Sequence, residues 1–276
     1  MNDYRPMKPL LLAILLMLFT HRLVAQSVST LMGARANAMG YASASLFDAW
    51  GTFNNIAGLA KIDQPTAVFA HDLRPLLPGA NRTAAAVSWP VNFGVFSSGV
   101  FRFGDDVYSE SLLSAGFSNQ LGLAALGIKL NYIQYRAEGF GTKGVFTLNV
   151  GGIAELTPSL AIGAYITNIN QPKLSPDEDR VPTLLTAGVS FKPSDKIIIA
   201  TELAKDLDYA TTWKTGLEYL FHKKFCARSG FNLHPHAAFF GLGFRTNKFI
   251  LDYALQHSVH LSLSHQASVN YVFLKK

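Results

Sequence analysis

The sequence predicts an all-β fold, a transmembrane barrel of about fourteen antiparallel strands preceded by an N-terminal hatch segment. Three observations lead there. Only 15% of the 276 residues are charged, against about 25% in soluble domains, yet beyond the first twenty residues no apolar run approaches the ~20 residues of a membrane helix. From Thr66 onward, apolar side chains alternate with small or polar ones over about ten residues, and each run ends in a turn rich in Gly, Asn, Asp or Pro. The connections between runs alternate between long and short. A bilayer accepts only elements that satisfy their own backbone hydrogen bonds, so without helices a closed barrel remains.

Residues 1–25 read as an export signal. Arg5 and Lys8 precede the apolar run Leu10 to Phe19, and Leu23-Val24-Ala25 supplies a small-residue exit, with cleavage expected after Ala25. Ten apolar residues are about half a membrane span. Removing this leader takes away Arg5, Lys8, Arg22 and Asp3, so the formal charge falls from +6 to +4, too little to argue for nucleic acid. Cys226 stands alone, so no internal disulfide can form, and a buried thiol is the plain reading.

Residues 26–62 do not follow the strand grammar. They are rich in Ala, Gly and Asn, with Gly33-Ala34-Arg35-Ala36-Asn37-Ala38-Met39-Gly40 and later Phe53-Asn54-Asn55-Ile56-Ala57-Gly58-Leu59-Ala60. Small residues allow close backbone packing in a confined space, so this stretch is expected to fold into the lumen as a plug; a loose periplasmic tail is the alternative.

Residues 63–276 are the expected barrel. Strands are placed near 66–73, 82–90, 92–103, 109–119, 123–136, 144–156 and 160–170, then near 183–192, 196–205, 210–221, 225–232, 237–246, 248–256 and 261–273. Fourteen is even, as single-chain bacterial barrels require. Period two sorts the faces. Phe249, Leu251, Tyr253 and Leu255 oppose Asp252 and Gln256; Leu261, Leu263, Ala267, Val269, Tyr271 and Phe273 oppose Ser262, Ser264, Gln266, Ser268 and Asn270, with His265 a polar intruder among the apolar set. Trp213, Leu217, Tyr219 and Phe221 oppose Lys214, Gly216 and Glu218, and Ile128, Leu130 and Tyr132 oppose Gly127, Lys129 and Asn131.

A β-sandwich shows the same alternation, but not the rhythm of the connections. Arg74 to Asn81, Gly104 to Tyr108, Ala137 to Lys143 and Gln171 to Pro182 are long or charged. Between them, Pro90-Val91, Asn119 to Gly122, Pro158-Ser159 and Pro193 to Asp195 are short, the asymmetry of outer loops and periplasmic turns.

The Gly-Ala-Arg-Ala…Met-Gly opening (Gly33, Ala34, Arg35, Met39, Gly40) joined to Asn-x-Ala-Gly-Leu-Ala (Asn54, Asn55, Ala57, Gly58) resembles an outer-membrane family. That family includes the FadL hydrophobic-compound transporters and the PorV/PorQ proteins of type IX secretion. Glu202 to Tyr209, Phe240 to Phe244 and Asp252-Tyr253-Ala254 are similar to the PorV/PorQ branch. The resemblance implies fourteen strands and an N-terminal hatch. It also implies a non-enzymatic docking or shuttle role in protein secretion, with outer-membrane lipid, secretion-system proteins or exported cargo as partners. The alternative is passive transport of a hydrophobic small molecule through the lumen and a lateral gap. Where FadL-type hatches carry Asn-Pro-Ala, this chain has Asn55-Ile56-Ala57, and it is short for a FadL-type transporter.

Other chemistry is weak. His234-Pro235-His236 and the group His257, His260 and His265 lack carboxylates at ligand spacing, so no metal or other cofactor is expected. His260-Leu261-Ser262 has hydrolase spacing, but parity turns both groups to the lumen, away from lipid. Asp177-Glu178-Asp179 offers oxygen ligands for Ca²⁺, with a solvated loop the plainer reading. Lys129, Lys214, Glu218 and Asp252 face the lumen by parity, either lining a polar path or holding the hatch through ion pairs, the second being preferred because enclosed charges need partners.

Overall fold

The computed structural model describes residues 28–174, 180–206, 210–259 and 262–274; the leader expected at 1–25 lies outside them. Fourteen strands close into one antiparallel barrel: β1 (Thr66–Leu73), β2 (Arg82–Val91), β3 (Gly94–Gly104), β4 (Tyr108–Leu121), β5 (Ala124–Ala137), β6 (Gly141–Thr157), β7 (Leu160–Thr167), β8 (Leu184–Ser194), β9 (Ile197–Asp206), β10 (Thr212–His222), β11 (Phe225–Asn232), β12 (Ala237–Arg245), β13 (Phe249–Ser258) and β14 (Ser262–Val272). Each strand pairs with its neighbours in sequence, and the ring shuts where Thr66 meets Val272 and Leu73 meets His265. Closure leaves no free sheet edge. Among the described residues the strands pair continuously around the ring.

Burial alternates along the strands as period two demands. On β1 every second residue from Thr66 is buried, while Phe69, His71 and Leu73 are exposed. Val87, Val100, Leu113, Leu130, Leu203 and Phe240 stand on the same outer surface, and Trp89, Phe96, Phe117, Phe225, Phe249 and Tyr271 place aromatic rings near one end of it. An apolar outer wall with aromatics at its rim is the membrane-barrel pattern. No described helix is long and apolar enough to cross a membrane.

The connections differ in detail from expectation. The 74–81 and 168–183 connections are long, but those at 105–107 and 138–140 are short, because β4, β5 and β6 run further than their alternation suggests and carry the sheet past the apolar zone. Pro90 and Val91 belong to β2, paired with Val95 and Gly94, and the turn is Asn92-Phe93; Gly94 takes the positive φ that ends it. The end holding 74–81 and 168–183 is called the loop end below, the opposite one the turn end.

The interior is filled. Residues 28–62 run from the loop end, where the Val28 N–H donates to Glu110, to the turn end, where β1 begins. They form a short helix α1 (Ala34–Ala38) and two 3₁₀ turns, Ala49–Thr52 and Ile56–Lys61. Met32, Trp50, Phe53, Ile56 and Leu59 are buried almost completely against the inner wall.

Candidate functional site

The path of residues 28–62 is set by small residues, caps and wall contacts. Gly33 and Gly40, at φ +104° and +64°, bracket α1 with backbone angles that other residues resist. The Ala34 N–H donates to Ser268 Oγ at 3.2 Å. Asp48 caps the first 3₁₀ turn through the Trp50 N–H, and Asn55 caps the second through the Ala57 N–H while its amide donates to the Ala44 and Gly152 carbonyls. The Asn54 amide donates to the Met32 carbonyl. The Gly58 carbonyl accepts from the Asp48 N–H, and a Cβ on Gly58 would press on the Leu46 carbonyl at 2.7 Å.

The wall makes room for this chain with inward glycines. A Cβ on Gly216 would lie 2.5 Å from the Met39 carbonyl oxygen, and one on Gly230 or Gly163 would collide with the backbone of Gly40 or Ala44.

Charges fix the segment along its length, most densely toward the turn end. Arg35 donates to Glu218 at 2.9 and 3.1 Å and to Asp48 at 2.9 Å. Glu218 also accepts from Arg228 and, at 3.2 Å, from Arg245, while Arg228 reaches Asp252 at 2.7 Å. Lys214 pairs with Glu202 at 2.7 Å, and Glu202 accepts the Ser43 and Ala44 N–H groups. Lys129 donates to the Thr52 carbonyl at 2.6 Å. Nearer the loop end, Arg82 joins Asp72 at 2.7 Å and reaches the Ser29 carbonyl and Tyr41 hydroxyl. Buried ions in such numbers are tolerable only because each finds partners of opposite charge or hydrogen-bonding groups.

All four polar residues placed in the lumen by parity are buried there, but they act differently. Glu218 holds the segment by an ion pair, Lys129 by a hydrogen bond to a carbonyl, Lys214 through Glu202, and Asp252 only through Arg228. Arg228, Asp48 and the Arg82–Asp72 pair escaped sequence reasoning as site residues; inward parity was the available signal for Arg228, Arg82 and Asp72, and nothing local marked Asp48.

Between the segment and the wall at the loop end lies a cavity of about 270 Å³. Val28 to Leu31 and Phe53 of the segment line it, with Leu112, Ile133, Tyr165, Leu184 and Ala204 of the wall. Asn131, Asn149 and Asn168 add amides, and Asp206 is the one charged residue among its described lining. A second cavity, about 400 Å³, opens at the turn end among Arg35, Asp48, Lys61, Asp63, Glu218, Arg245 and Asp252. The packed segment separates the two.

The remaining candidates gather no chemistry. His234 and His236 sit in the 233–236 connection with rings 5.6 Å apart, and no metal-binding group of His, Cys, Asp and Glu occurs among the described residues. His265 lies on the outer wall, hydrogen-bonded to the Tyr253 hydroxyl at 2.6 Å. His260, the Ser262 side chain and Asp177 to Asp179 lie outside the described residues. Cys226 is fully buried.

No protein-family model matches the chain, and no curated protein matches it. Solved structures do. The CymD monoaromatic hydrocarbon channel superposes with a TM-score of 0.71 at 14% identity, over 91% of this chain and 100% of that one. The Pseudomonas putida toluene transporter TodX gives 0.63 at 13% identity, over 90% and 98%. A Pseudomonas aeruginosa FadL homologue gives 0.60 at 11%, over 91% and 99%. At these identities the likeness is one of fold alone.

Proposed function

We propose that the protein is an outer-membrane channel for small hydrophobic molecules, with residues 28–62 as its hatch. The observation that carries this reading is the loop-end cavity. Its volume sits just below the ~300–1,000 Å³ usual for small-molecule sites, its lining mixes apolar side chains such as Leu31, Phe53, Leu112, Ile133 and Leu184 with amides, hydroxyls and Asp206, and the hatch itself forms part of it. A molecule entering from the loop end would touch Val28 to Leu31 directly, so occupancy and hatch position are coupled through shared contacts. The fold shared with CymD and TodX supports the same choice. Since residues 28–62 fill the lumen between the two cavities, passage along it requires the hatch to shift.

The PorV/PorQ docking role has no comparison behind it, and the short 105–107 and 138–140 connections offer little surface for a protein partner. Uptake of radiolabelled toluene by bacterial cells expressing the protein tests the proposal. Faster uptake than in cells without it, lost when the hatch is clamped, supports the channel; unchanged uptake, with exported proteins accumulating in the periplasm of a deletion strain, supports docking instead.

A further inference from the structure

On the outer wall of β1 to β5 the apolar surface stops abruptly at a polar row near the loop end. Its members are direct cross-strand neighbours: His71 beside Thr83, Thr83 beside Arg102, Arg102 beside Ser111, and Ser111 beside Gln134. The next outward row toward the turn end is Phe69, Ala85, Val100, Leu113 and Tyr132, in the same strand order. Two residues of strand, about 7 Å, thus separate a guanidinium from hydrocarbon.

Ala85, small between the bulkier Phe69 and Val100, leaves a furrow in this row. A cavity of about 610 Å³ lies against this wall, touching Phe69, Ala85, Val100, Leu113 and Tyr132 below and Arg102 and Gln134 above. Arg102 is exposed and, among the described residues, has no hydrogen-bond or ion-pair partner; Arg136, two residues beyond Gln134 on the same outward face, has none either. The His71 ring is held to the Thr83 hydroxyl at 2.9 Å.

An arginine at the edge of a bilayer is stable when its head reaches the headgroup layer and its stem lies on apolar surface. A guanidinium fork matches two oxygens of a phosphate, and Thr83, Ser111 and Gln134 add hydrogen-bonding groups at the same level. One kind of molecule fits both the cation and the furrow: an amphiphile with a phosphate head and an acyl chain. We propose that the outer wall of β1 to β5 is a binding site for a phosphate-bearing membrane lipid, its head on Arg102 and a chain along Ala85, Val100 and Leu113. The site rests on the placement of the barrel in a membrane, and not on what crosses the lumen.

The test is native mass spectrometry of the full chain released from detergent micelles, after titration with phosphatidylglycerol or with a diacylglycerol of the same chains, which lacks the phosphate. Wild type is expected to hold phosphatidylglycerol at least about tenfold more tightly, the worth of one charge-assisted contact. Arg102→Gln removes that preference, and Ala85→Phe, which fills the furrow, weakens both lipids. Both side chains face outward, and the heat-resistant folded band on gels verifies that each variant folds. Equal binding of the two lipids, binding of neither, or a preference that survives Arg102→Gln overturns the proposal. Displacement of phosphatidylglycerol by inorganic phosphate overturns it too, because the site then reads an anion without its chain. Protein that stays folded and soluble without detergent overturns the membrane placement instead.

Discussion

At the turn end of the lumen, Arg35 of the N-terminal segment meets Glu218, and Arg228, Arg245, Asp48 and Asp252 extend the network. At the loop end the same segment, through Val28 to Leu31 and Phe53, faces Ile133, Leu184, Tyr165 and three asparagines across an open volume. The charged end has strong, directional contacts that a small apolar molecule cannot replace. The loop end has its own charged tethers, Glu110 on the Val28 N–H and Arg82 on the Ser29 carbonyl, but across the cavity it also has apolar contacts that such a molecule can replace on nearly equal terms. In the proposed channel, the dense ion pairs of the turn end anchor the segment and the loop-end cavity is where a guest would sit.

Breaking the packing that supports both ends is the largest perturbation. Gly216→Val and Gly230→Val each put side-chain atoms where Met39 and Gly40 now lie, and backbone on both sides leaves nothing to yield. Overpacking ordinarily costs about 1–3 kcal/mol, and here more, so the expected result is a displaced segment, read as ion current across planar bilayers where wild type is silent.

Next is the anchor itself. Arg35→Ala leaves Glu218 with Arg228 and Arg245 but removes the link to the segment, a buried-pair loss of about 3–5 kcal/mol. The expected outcome is intermittent channel opening with the barrel still folded. Lys129→Met is milder: it strips the Thr52 carbonyl of its donor, about 1–3 kcal/mol, visible as a lower temperature of conversion from the folded to the unfolded band.

At the other end, Ala204→Phe projects a ring from β9 into the loop-end cavity. It should cut toluene uptake several-fold, as losing one pocket of this size does, while conductance stays silent; equal loss in both assays would erase the division between the ends. The smallest effect is expected at Lys61, whose pair with Glu155 is part-exposed. Lys61→Ala should shift stability by less than about 1 kcal/mol, which shows that burial, and not charge alone, makes the turn-end anchor.

The wall was legible in the sequence because a closed barrel imposes period two on every strand, and Asp252 between Leu251 and Tyr253 declares its own side. All fourteen strands follow from that, while their ends do not: β6 continues to Gly141 through Thr142 and Lys143, which carry no apolar alternation. The segment was legible only as an exception to the grammar. Its partners lie far away in the chain, with Arg35 183 residues from Glu218 and Trp50 220 residues from Asn270, and no local pattern records such pairings. The inward glycines at 163, 216 and 230 were the overlooked signal, since a lumen wall without side chains implies something lying against it. The cavity was not legible at all, because its lining comes from the N-terminal segment and from several separate strands.

Crystals of the wild-type protein soaked with bromobenzene, with diffraction measured at the bromine edge, test the division of the lumen most directly. Anomalous density between Phe53, Ile133 and Tyr165, within the loop-end cavity, is the expected result. Bromine found only among Arg35, Asp48 and Glu218 at the turn end, or only on the outer wall, would contradict it.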